Sequence, residues 1–146
     1  MAEGLAHVTG QLADVLLRQG RVDEAREAAL RALALARQVG AAGIVGGTWE
    51  TLGRTVRVVS APVTIEGVAY GAEECFAESL RVLREAGRED AAAQTLRTWA
   101  EDLWGRGERE QATGLWQEAH ETFTRLGATA ELAGMADRPG EDDSMA

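Results

Sequence analysis

Apolar residues recur along this chain in steps of three and four, and glycines punctuate the series. From about Ala6 to Gln19, the residues Val8, Leu12, Val15 and Leu16 fall on one face of a helix, which Gly20 ends by offering a left-handed backbone. From Val22 to Val39, Ala25, Ala29, Ala32 and Ala36 form a stripe of small residues against which a second helix can lie closely, and Gly40 stops the helix. A third helix is predicted over Ala42 to Val59, with a start blurred by Gly43, Gly46 and Gly47. A fourth, from about Gly71 to Ala86, turns Phe76, Leu80 and Leu83 inward. The fifth, about Asp90 to Trp104, presents Leu96, Trp99 and Leu103. The sixth, about Arg109 to Leu126, presents Ala112, Leu115, Trp116, Ala119 and Phe123. Thr129 to Ala136 is predicted as one further short helix.

The period breaks once. Between residues 60 and 71, Pro62 and Gly67 interrupt any helix, while Val63, Ile65, Val68 and Tyr70 favour extended backbone. This insert is expected either to fold back onto its own helices or to offer apolar residues to a partner. At the other end, residues 138–146 are polar and acidic and predict a disordered tail. The expected organisation is a single helical domain over residues 1–137.

The helices carry one grammar written three times. The first copy reads Leu12-Ala13-x2-Leu16, then Gly20-Arg21-x-Asp23-Glu24-Ala25-x3-Ala29-x2-Ala32. The second reads Trp49-x2-Leu52-Gly53-x2-Val56, then Ala72-x3-Phe76-x2-Ser79. The third reads Trp99-Ala100-x2-Leu103, then Gly107-Glu108-x3-Ala112-x3-Trp116-x2-Ala119. This pattern resembles the tetratricopeptide repeat superfamily, and more narrowly its long-repeat arrays in bacterial signalling proteins. The copies, at about 6–40, 42–87 and 90–127, are longer than the usual ~34 residues. The resemblance implies an all-α fold, a right-handed α-solenoid of three helical hairpins plus a short C-terminal helix. It also implies a protein-binding scaffold, because such units stack into a concave groove lined by the first helix of each pair.

Composition narrows the function. Hydrophobic residues make up 45% of the 146, and there are only two prolines. The net charge is −9, with acids and arginines alternating along the helices, which argues against a nucleic-acid surface. The single cysteine, Cys75, excludes an intrachain disulfide and reads as a small buried hydrophobe. The start is not that of a signal peptide, and no apolar run reaches the ~18 residues that span a membrane. A cytoplasmic location is expected.

No enzyme, metal site or cofactor is predicted. His7 and His120 lack ligands at metal-binding spacing, and with no lysine anywhere there is no phosphate-binding loop. Candidate chemistry lies instead in the implied groove. Arg18, Arg54, Arg57, Arg97, Glu101 and Trp104 would line it, beside Asp14 and Glu50, and give a neutral-to-cationic strip on an acidic body. A protein or peptide partner with an acidic segment would suit it. Trp104, off the core face of its helix, is either a binding hot spot or packed beneath the C-terminal stub. The alternative function is a structural segment that self-associates as a homodimer through an end hairpin.

Overall fold

A computed structural model describes residues 1–140. The described chain is mostly helical: α1 (Ala2–Arg18), α2 (Val22–Val39), α3 (Ala42–Val59), α4 (Ala72–Glu85), α5 (Glu89–Gly105), α6 (Arg109–Leu126) and α7 (Thr129–Ala133). Two short strands, β1 (Val63–Ile65) and β2 (Val68–Tyr70), fill the insert. No helix is long and apolar enough to cross a membrane among the described residues. The chain divides into two compact units, Met1–Gly87 and the residues from Arg88 onward.

Helix ends follow the glycines. Gly40 (φ 68°) and Gly127 (φ 70°) take the left-handed conformation, and the next residue donates back five positions, Ala41 to the Ala36 carbonyl (3.0 Å) and Ala128 to that of Phe123 (2.9 Å). These bonds satisfy carbonyls that a helix terminus otherwise leaves open.

In unit 1, α1 packs on α2, α3 lies between α2 and α4, and α1 also touches α3. The α2 stripe of Ala25, Ala29, Ala32 and Ala36 is fully buried. Trp49, Leu52, Phe76 and Leu83 fill the core between α3 and α4. The glycines that blur the start of α3 have a packing role. A Cβ on Gly46 would overlap the branched end of Leu83, and one on Gly53 would press on Cys75 and Phe76 at 3.2 Å.

α1 departs from expectation. Leu16 is buried, but Val8, Leu12 and Val15 face outward, and the small residues Ala6, Thr9 and Ala13 turn inward in their place. Close approach is the cause. At Gly10 an added Cβ would already touch the Ala32 methyl of α2 (3.9 Å), so small residues suit the middle of that face and the larger Leu16 enters only near the helix end.

The insert forms an antiparallel hairpin in the register Val63↔Tyr70, Thr64↔Ala69 and Ile65↔Val68. Glu66 (φ 51°) and Gly67 (φ 81°) make its two-residue turn, both left-handed as a tight hairpin requires. The hairpin folds back onto its own helices. Val63 is buried, Tyr70 packs its ring 4.8 Å from that of Trp49, and Arg26 of α2 donates to the carbonyls of Ala61 (2.8 Å) and Pro62 (3.3 Å).

Unit 2 is the α5/α6 hairpin, followed by α7 against α6. Leu96, Ala100 and Leu103 from α5, and Ala112, Trp116, Ala119 and Phe123 from α6, are buried. Arg125 near the end of α6 pairs with Glu89 at the start of α5 at 2.8 Å. After α7 the chain crosses back over the hairpin instead of leaving it. Residues 138–140 of the predicted tail thus belong to the packed structure, with Pro139 fully buried. The rest of that predicted tail lies outside the described residues.

Candidate partner-binding surfaces

The predicted site residues fall into two groups, one in each unit. In unit 1, Asp14 of α1 is shared by two arginines. Arg18, one turn further along the same helix, reaches one carboxylate oxygen at 2.8 Å, and Arg54 of α3 reaches the other at 2.7 Å. The adjacency of α1 and α3 makes this contact, which joins residues distant in sequence. Arg57 follows Arg54 by one turn of α3 and is half-buried. Two guanidinium groups, from different helices, therefore meet on one carboxylate. Arg18 and Arg54 each offer five N–H groups, more than the contact to Asp14 uses, so the pair can take a second carboxylate.

In unit 2, Arg97, Glu101 and Trp104 follow one another along α5, but two of the three are engaged by the chain's own C-terminal segment. Arg97 stacks its guanidinium 5.8 Å from the centre of the Trp116 ring and donates to the Gly134 carbonyl at 2.9 Å. The Trp116 indole donates to the Ala136 carbonyl at 2.8 Å. Trp104 lies under the guanidinium groups of Arg109 (4.6 Å) and Arg138 (5.9 Å). Gly140 passes so close to the indole that a Cβ there would overlap it. Trp104 is accordingly half-buried, packed beneath the C-terminal segment, which is the second of the two roles the sequence allows it. Glu101, on the same helix, is exposed.

Sequence reasoning missed the partners that hold these groups. Nothing in the periodicity marks Arg26 as the anchor of the hairpin or Trp116 as a donor to residue 136. Pro139-Gly140 was the available signal: a proline supplies apolar surface, and the glycine after it lets the backbone approach a ring, here that of Trp104.

Other chemistry is sparse. Cys75 is buried at the α3/α4 contact, and burial pushes its thiol up to about 12, with Glu74 adding to the shift. Such a thiol is a poor nucleophile, since the thiolate is the reactive form. Among the described residues no three His, Cys, Asp or Glu side chains group as metal ligands do. No protein-family model matches the chain, and no curated protein matches it significantly in sequence.

Proposed function

We propose that this chain is a protein–protein interaction module of the tetratricopeptide kind, a right-handed stack of helical hairpins that holds a peptide or helix of a signalling partner and supplies no catalysis. The contact of α1 with α3 supports this reading, because first helices of successive hairpins are neighbours in such a stack. The observation that carries it is the sharing of Asp14 by Arg18 and Arg54. On a chain of net charge −9, two arginines here share one carboxylate, held in place by two helices. The partner it fits is an acidic segment, whose carboxylate would take the guanidinium donors that Asp14 leaves over.

The test is selection of binders from a displayed peptide library by the intact protein. Recovered peptides are expected to be rich in Asp and Glu. The double substitution Arg54→Ala with Arg57→Ala is expected to weaken them at least about tenfold, or ~1.4 kcal/mol. Asp14→Ala is expected to strengthen them, because it releases two arginines at once. Peptides without acids, or affinity unmoved by loss of both arginines, would refute the assignment.

A further inference from the structure

Helix α1 carries three distinct stripes. Ala6, Thr9, Ala13 and Leu16 are buried. Asp14 and Arg18 belong to a polar stripe with Glu3, His7 and Gln11. Between them Leu5 (55% exposed), Val8 (60%), Leu12 (47%) and Val15 (46%) stand in water, with no partner element among the described residues. Their spacing is three, four, three, the a/d pattern of a coiled-coil seam.

This stripe reads the same from either end. Leu5 and Val15 lie equally far from Gly10, and so do Val8 and Leu12. When two such helices run antiparallel about Gly10, Leu5 meets Val15 of the other copy and Val8 meets its Leu12. Every apolar residue thereby faces an apolar residue, and each a position faces a d position. Gln11 falls beside the dyad opposite itself, where one amide can donate and the other accept. The charges choose the same orientation. Antiparallel pairing brings Arg18 to the partner's first turn, which carries Glu3, and sets the two helix dipoles head to tail. Parallel pairing would set Arg18 against Arg18.

We infer that this face of α1 docks a second copy of the same chain, α1 against α1, antiparallel and two-fold symmetric. Four half-exposed side chains offer well under the ~800 Å² per partner of a standard interface, so the dimer is a weak one. The inference does not rest on the acidic-peptide reading: the seam itself, Leu5, Val8, Leu12 and Val15, contains none of that reading's residues, and Arg18 only flanks it.

The experiment is sedimentation equilibrium of the full chain from about 1 μM to about 1 mM, a span set by the size of the interface. The mean mass is expected to climb from 15.6 kDa toward twice that value across the range. Leu12→Glu and Val8→Glu, each opposite the other's position across the seam, should raise the dissociation constant at least tenfold. Circular dichroism would show the helices intact, because both side chains are exposed; Leu12→Gln is the milder check. Register is read by oxidative cross-linking. A mixture of Leu5→Cys and Val15→Cys should form the mixed disulfide, and neither alone should cross-link efficiently. A mass that stays at the monomer value to 1 mM would overturn the inference, as it would if the stripe served a different protein. So would a dimer indifferent to Leu12→Glu, or Leu5→Cys joining readily to itself.

Discussion

Two neighbouring glycines of α3 show how differently one residue type can act. Gly46 lies against Leu83, itself buried and unable to withdraw, so an added methyl has nowhere to go. Alanine gains about 1 kcal/mol of helix propensity over glycine, but overpacking a closed core costs about 1–3 kcal/mol. Gly46→Ala is therefore expected to lower stability, by up to about 2 kcal/mol. At Gly47 nothing lies within 4 Å, so only the propensity gain operates and Gly47→Ala should raise stability by about 0.5–1 kcal/mol. Urea unfolding of the two variants reads both signs. The sequence shows these glycines only as blemishes in a helix. Which of them touches α4 depends on the crossing of two helices, and a periodicity count does not contain that.

At the level of elements, the β-hairpin and the C-terminal segment both cover an aromatic ring that the helices alone leave open. Val63 is the hairpin's buried contact, and Val63→Ala should cost about 1–2 kcal/mol, measured as a shift in the urea midpoint. Gly140 combines a left-handed backbone (φ 81°) with close approach to Trp104. Gly140→Ala should lift the segment from the indole. Tryptophan emission would move to the red, and acrylamide would quench it more readily; an unchanged spectrum would show that the segment does not shield the ring.

Element boundaries were legible where helix-forming runs end in glycine, as α2 and α6 do at Gly40 and Gly127; α3 ends instead at Ser60, just before the proline of the insert. The outward face of α1 was not. Large aliphatic side chains ordinarily take the core, but the alanine stripe of α2 draws α1 so near that Ala6 and Ala13 occupy it instead. Of the candidate site, the α1 and α3 arginines were readable from helical position. The tie of Arg97 to residue 134 was not, because it is made to a backbone carbonyl, which every residue carries.

For the whole molecule, the division into two units makes a prediction of its own. Cys75 lies in unit 1, and its protonated, enclosed thiol should resist a thiol reagent at pH 8 until that unit opens. Trp99, Trp104 and Trp116 lie in unit 2, against Trp49 alone in unit 1, so intrinsic fluorescence reports mainly on unit 2. Unit 2 is the smaller, and small units bury a smaller fraction of their surface. The fluorescence change is expected at lower denaturant than Cys75 labelling, whereas coincident curves would mean the chain unfolds as one body.

The crossing of residues 134–140 over α5 and α6 also has a consequence for synthesis. A ribosome makes the chain from the amino terminus, and domains fold in that order as they emerge. The α5/α6 hairpin is complete before its cover exists. Through that interval Arg97, Trp104 and Trp116 stand open on the nascent chain, and the last step in shaping unit 2 is the arrival of a proline and a glycine.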